Sequence, residues 1–198
     1  MEGIYNPINV VQKEKMSKAI LYTGKLDARF GIRELIEAFH MIEDPDFSLW
    51  ICGDGSERPY VERESLKDNR IEYKGLLKQQ EVFELQRCAS LLINPRKGNE
   101  EYTKYSFPSK TMEYMASGTP TIMYALPGMP ADYAPYLIIV PDDTIETLRD
   151  VLYEYGNKSQ DELGMIGQRA RQFILREKTS CRQIERFVKF ILDNVAND

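Results

Sequence analysis

Histidine is almost missing from this 198-residue chain, cysteine is scarce, and basic residues are outnumbered by acidic ones. The single histidine, His40, lies in an ordinary stretch of helical period, so imidazole acid–base chemistry and histidine-rich metal sites have little to draw on. The three cysteines, Cys52, Cys88 and Cys181, are odd in number, far apart and without a C-x-x-C spacing. That excludes a zinc ribbon or a disulfide framework and reads as buried, reduced thiols of a cytoplasmic protein. A net charge of −5 excludes a general nucleic-acid binder, so any anion site has to be local. No apolar run approaches the roughly 20 residues that span a bilayer, and the start "MEGIYNPINVVQKEK" lacks the apolar core of a signal peptide. The glycine fingerprint G-x-G-x-x-G is also absent after the first apolar run, because "GKLDARFG" has glycine only at its ends. An NAD-dependent oxidoreductase is thereby disfavoured. There is no internal repeat and no low-complexity segment.

What is present is a composition of 42% hydrophobic and 29% charged residues, enough for one domain with a sizeable core. Short β-rich runs alternate with longer segments of helical period: "AILYT", then "IRELIEAFHMI" with Ile32, Leu35, Ile36 and Phe39 on one face. "FSLWICG", "RIEYKG", "SLLINP", "TPTIMYA" and "LIIV" continue the series of strands, with helices between them. Such βα repetition predicts a doubly wound α/β fold: a parallel sheet with helices on both faces and ligands bound beyond the carboxyl ends of the strands. After about Asp142 only helices are expected, ending in "CRQIERFVKFILDNV" with an apolar stripe at Ile184, Phe187, Val188, Ile191 and Leu192. The chain therefore divides into an extension or linker over 1–18, a Rossmann-like domain over 19–178 and a terminal helix over 179–198. That helix is expected to pack on this domain or on another.

Three loops that follow strands carry the chemistry. In "TGKLDARFG", Gly24 permits a tight turn while Lys25 and Arg29 place cations near the start of a helix, where free N–H groups and the helix dipole favour an anion. The same cations also fit plain surface roles, solvated or paired with Asp27 and Glu34. "GDGSERP" has a G-x-G turn that by itself need only redirect the chain. The third loop ends in "KYSFPSKTMEYMASGTP", which delivers Ser106, Phe107, Pro108, Ser109 and Lys110 to a helix stopping at Gly118. Glu113 lies one turn beyond Ser109 and Lys110 on the same face. Phosphate oxygens suit the free N–H groups of Ser109 and Lys110, and Glu113 suits neutral hydroxyls, a pattern that fits a diphosphate carrying a sugar. The alternative for Glu113 is a surface ion pair with Lys110.

Taken in order, "YTGKLDARFGIRELIEAF", "WICGDGSERPYVE", "RIEYKG" and "YSFPSKTMEYMASGTPTI" resemble the C-terminal, donor-binding domain of a retaining GT-B glycosyltransferase of the group 1, family 4 type. That group assembles bacterial cell-surface polysaccharides. The resemblance covers about Ala19 to Val140 and implies several roles. Glu113 corresponds to the second glutamate of a Glu-x7-Glu signature and holds the ribose of the nucleotide sugar. The first glutamate falls at Tyr105, so that contact is lost or altered, with Glu100 or Glu101 as substitutes. The basic pair of the first loop is matched by Lys25, while its second position is Phe30, with Arg29 one residue earlier. The family glycines beside Phe107 are replaced by Ser106 and Pro108. "YKGLL" at Tyr73 to Leu77 is similar to the segment whose backbone reads the base.

The resemblance thus implies Lys25, Arg29 and Glu113 as the catalytic group. Gly24, Gly53, Tyr73, Gly75, Leu76, Tyr105, Ser106, Phe107, Ser109, Lys110 and Glu113 are implied as the donor-binding set. No metal is expected, since Asp142 and Asp143 are adjacent and read as helix-capping residues rather than as a D-x-D cluster. No cofactor is expected beyond the nucleotide-sugar donor. The acceptor, a glycan or a lipid-linked sugar, is expected on a further N-terminal domain, with the full enzyme cytoplasmic and at the inner face of the membrane. By itself the domain is expected to bind nucleotide without transferring sugar. Two other readings stay open, a non-catalytic nucleotide-sugar-binding module and a GT-B epimerase.

Overall fold

The computed structural model describes residues 14–99, 101–105 and 107–195. The first strand, β1 (Ala19–Thr23), is buried along its whole length, as a central strand of a parallel sheet must be. It leads through a short 3-10 turn at Ala28–Phe30 into α1 (Ile32–His40), whose buried Ile32, Leu35, Ile36 and Phe39 are the stripe expected from the sequence. Next come β2 (Ser48–Cys52), α2 (Arg58–Lys67), β3 (Ile71–Gly75), α3 (Gln79–Cys88) and β4 (Leu91–Asn94). Pro59 sits in the first turn of α2, where its missing N–H has no helical partner to lose. The chain continues through α4 (Ser109–Ser117), β5 (Thr121–Tyr124), β6 (Ile138–Val140), α5 (Ile145–Gly156), α6 (Gln160–Glu177) and α7 (Ser180–Val195). Further 3-10 turns at Glu101–Lys104 and Ala131–Tyr136 had no periodic signal in the sequence.

The six strands are all parallel, in the order β3-β2-β1-β4-β5-β6. Successive crossovers therefore run outward from β1 in one direction and then from β4 in the other. A crevice opens between the carboxyl ends of β1 and β4, where the winding reverses.

Strand alternation divides the core. Ile20 and Tyr22 of β1, Leu49 and Ile51 of β2 and Ile93 of β4 face α1, α2 and α5. Ala19, Leu21, Trp50 and Leu92 face the other way, against α3 and Tyr114 of α4. A third cluster, around Phe107, Met115, Tyr133 and Phe173, seats α6 against α4 and the Ala131–Tyr136 turn. By contrast α7 packs little: Ile184, Phe187 and Leu192 are each more than 60% exposed. No helix among the described residues is long and apolar enough to cross a membrane.

Candidate functional site

The sheet's hydrogen-bond ladder runs past the ends of the strands. The Gly24 N–H donates to the Cys52 carbonyl and the Gly53 N–H to the Gly75 carbonyl, both at 2.9 Å, so three glycines on adjacent strands lie side by side. Two of them leave no room for a side chain: a Cβ on Gly53 would stand 1.7 Å from the Gly24 carbonyl oxygen, and one on Gly24 would stand 1.8 Å from Lys110 Nζ. Both have positive φ, 141° and 148°, which L-residues with a Cβ adopt only under strain. The Tyr73 hydroxyl donates to the Gly53 carbonyl at 2.9 Å, so Tyr73 supports this row from within. The loop after β2 braces the loop after β1 through Leu26 N–H to Asp54 O and Glu57 N–H to Leu26 O, each 2.9 Å.

Above the glycine row lies a cleft of about 340 Å³, walled by Lys25 and Asp54 on its polar side and by Leu76, Leu77 and Val82 on its apolar side. Leu76 stands 79% exposed at its rim. A second, smaller compartment of about 140 Å³ lies beside it at the winding reversal, between Lys25, Phe30, Asn94, Arg96, Pro108 and Lys110. Lys25 lines both.

The start of α4 is tied to the end of β1. The Tyr114 hydroxyl, fully buried, accepts from Thr23 N–H at 2.9 Å and lies 3.1 Å from the Thr23 carbonyl, to which it donates. Lys110 turns its ammonium inward, onto the same carbonyl and over the Tyr22 ring at 5.2 Å. Burial holds its pKa down at about 8, against the pull of Glu113, which favours the charged form. Pro108, before the helix, offers no capping side chain to the first-turn N–H groups, and Ser109 is exposed there. Glu113 is half-buried and accepts a 2.6 Å hydrogen bond from Gln86 of α3, a contact that gives the carboxylate a fixed orientation.

The sequence-derived residues thus divide. Gly24, Lys25, Gly53 and Leu76 line the larger cleft, Lys110 the smaller one, and Gly75 ends the strand beneath. Arg29 does not turn toward either: Asp27 holds it in a bidentate pair, with Nε to Oδ1 and Nη2 to Oδ2 both 3.0 Å, on the exposed side of the loop. This is the surface pairing that the sequence left open. The same hydrogen bonds hold the Asp27 carboxyl down at about 2. Phe107 is buried, its ring 4.6 Å from that of Tyr133, and so anchors the loop to the core. Tyr105 is 73% exposed. Ser106 and Glu100 lie outside the described residues. Tyr114, Gln86, Asn94 and Arg96 escaped sequence reasoning. Only Asn94 carried a signal, as a polar residue closing an apolar strand.

Residues 17–154 match the family model described as glycosyl transferases group 1. The chain belongs to that family. No curated protein sequence matches it, but solved structures do. A point mutant of S. aureus TarM, determined in complex with Fondaparinux, alpha-GlcNAc-glycerol and UDP, aligns at a TM-score of 0.77 and 15% identity, covering 94% of this chain and 38% of TarM. Sucrose-phosphate synthase from Thermosynechococcus elongatus aligns at 0.71 and 20% identity, covering 96% and 47%. Anabaena HepE in complex with UDP and glucose aligns at 0.68 and 13%, covering 90% and 49%. This chain therefore has the Rossmann-like fold of GT-B enzymes and spans less than half the length of these neighbours.

Proposed function

We propose that this chain is the donor-binding half of a retaining glycosyltransferase that moves a hexosyl group from a nucleoside-diphosphate sugar to a glycan or lipid-linked acceptor in cell-surface polysaccharide synthesis. The observation that carries the reading is the convergence of the loops after β1, β2 and β3 and the start of α4 on one edge of the sheet, with cations where those loops meet an uncapped helix. The larger cleft, apolar at Leu76, Leu77 and Val82, suits a base and ribose. Glu113, oriented by Gln86, suits a ribose hydroxyl. Lys25, Lys110 and the free N–H groups of α4 suit the diphosphate. The UDP present in the TarM and HepE structures is consistent with this division.

In the transfer, the bond between sugar C1 and the distal phosphate oxygen breaks, its electron pair remains on that oxygen, and the acceptor oxygen bonds to C1 as its proton passes to the departing phosphate. Fixed cations aimed at that phosphate stabilise the transition state more than the ground state, because the charge there grows. Charge neutralisation by lysine makes donor binding independent of a divalent metal. The acceptor belongs to a second domain, at the cytoplasmic face of a membrane, and this chain without it binds donor but transfers nothing. An exposed Tyr105, where the resemblance expects a sugar-contacting glutamate, favours the second reading, a non-catalytic binding module.

Calorimetric titration with UDP, GDP, ADP and their nucleosides tests the reading. At least one nucleoside diphosphate binds more tightly than its nucleoside, and EDTA leaves that affinity unchanged. Absence of any diphosphate-dependent binding overturns it. Loss in EDTA restored by Mg²⁺ overturns only the metal-free part. A chain joined to its acceptor domain that binds donor yet transfers no sugar identifies the binding module.

A further inference from the structure

We propose that Asn94 and Arg96, at the carboxyl end of β4, are phosphate-binding residues that complete, with Lys25 and Lys110, a compartment for the sugar-bearing phosphate. The proposal rests on the glycosyl-transfer reading above and gives to β4 a task that the sequence assigns to Arg29. The compartment beside the nucleoside cleft has a volume of about 140 Å³, the scale of a compact anionic group rather than of a whole nucleotide. Every charged side chain that the described residues bring to its lining is cationic: Lys25 from the loop after β1, Arg96 from the loop after β4 and Lys110 from α4. Among the described residues no carboxylate lines it.

Asn94 supplies an independent observation. The residue is 7% exposed, lines this compartment, and its Nδ2 has no hydrogen-bond partner among the described residues. Buried amide donors are nearly always satisfied, so one left open at the wall of a cationic chamber calls for an acceptor from outside the chain. A phosphate oxygen is such an acceptor.

Arg96 is placed for the same ligand. It is 9% exposed and its guanidinium carbon lies 6.0 Å from the centre of the Phe30 ring, which fixes it at the mouth of the loop after β1. A planar guanidinium presents paired donors to a phosphate that an ammonium cannot. Arg29, two residues from Asp27 and bidentate to it, is turned to the exposed side of its own loop. The second cation of the phosphate site therefore comes from a different strand, across the winding reversal.

The test titrates the whole chain with inorganic pyrophosphate, with whichever nucleoside diphosphate binds it, and with the matching nucleoside. Arg96→Gln weakens both phosphate ligands about 10-fold or more, the size of a lost charge-assisted contact, and leaves the nucleoside unchanged. Arg96→Lys recovers part of the loss. Asn94→Leu, close in volume and without the amide, weakens the same ligands about 3- to 10-fold, in line with one lost hydrogen bond. Unchanged nucleoside affinity and thermal midpoint show that each variant is folded; should Arg96→Gln fail to fold, Asn94→Leu decides. Phosphate affinity unchanged in the folded variants overturns the proposal, as does a loss that falls on Arg29→Gln instead. A wild-type chain that binds no diphosphate overturns the underlying reading as well.

Discussion

At the scale of single residues, the site depends on groups whose neighbours decide what they can do. Glu113 is one turn inside α4, and Gln86 donates to one of its oxygens at 2.6 Å; on the proposed reading the other oxygen accepts from a ribose hydroxyl. Glu113→Gln is expected to weaken nucleoside diphosphate and nucleoside alike by about 1–3 kcal/mol, because a ribose contact is shared by both. Isothermal titration of the two ligands checks this, and a loss confined to the diphosphate contradicts the ribose assignment. Gly53 is constrained differently. A methyl there meets the Gly24 carbonyl, which is backbone and cannot swing aside as a side chain would, and its φ of 141° is strained for any other residue. Gly53→Ala should destabilise the fold by about 3 kcal/mol or more, read from the urea midpoint. A shift below about 1 kcal/mol means that the loops after β1 and β2 relax easily.

Among the elements, α4 and α7 stand at opposite extremes. Helix α4 is bonded to β1 through Tyr114, which satisfies both the N–H and the carbonyl of Thr23 at the very end of the strand. The start of the helix is therefore registered to the loop that carries Lys25. Helix α7 is held by few contacts, among them Arg186 to Glu177 at 2.5 Å and Gln183 Nε2 to the Glu177 carbonyl at 2.8 Å. Its apolar residues Ile184, Phe187 and Leu192 remain largely in solvent. Such a helix gains little from burial where it lies. Removal of residues 180–198 should leave the thermal midpoint within about 3 °C, since a change of 1 kcal/mol in a chain of this size moves it by only about 2–4 °C. It should also reduce self-association in sedimentation velocity. A drop beyond about 8 °C indicates that α7 is integral to the core.

For the molecule as a whole, buried titratable groups shape stability against pH. Lys15 donates to the Ala89 carbonyl at 2.9 Å and to the Thr119 hydroxyl, and burial lowers its pKa to about 8, as it does for Lys110. In the unfolded chain both titrate near the ordinary lysine value of about 10.4. Between about pH 8 and 10 the unfolded chain consequently holds more protons than the folded one, and stability rises with pH. Burial of Tyr22, Tyr114 and Tyr124 pushes their phenols above the usual range, so beyond about pH 10 the unfolded chain loses protons that the folded one keeps, and stability falls again. Urea midpoints from pH 7 to 11 should therefore pass through a maximum near pH 10. Lys110→Met should flatten the rising limb while keeping the fold, because Tyr114 still donates to the Thr23 carbonyl. A monotonic decline from pH 7 contradicts the burial of both lysines.

Local composition settled much of this protein. The alternation of short β-rich runs with amphipathic segments specified a doubly wound sheet, since each pattern can bury its apolar side in only one way. Pro59 and Gly118 marked helix ends because backbone dihedrals are properties of single residues. The loops that carry Gly24, Lys25, Gly53 and Lys110 were legible for the same reason, each lying directly after a strand or before a helix. What tertiary structure decided is which distant residues meet. The order of the strands, the bond from Gln86 to Glu113 across 27 positions and the tie from Tyr114 to Thr23 across 91 are products of packing. The turning of Arg29 onto Asp27, and the arrival of Asn94 and Arg96 beside Lys25, likewise depend on side-chain direction and on the crossing of β4 beside β1. Residue type says that a cation is available; only the folded backbone says where its charge points.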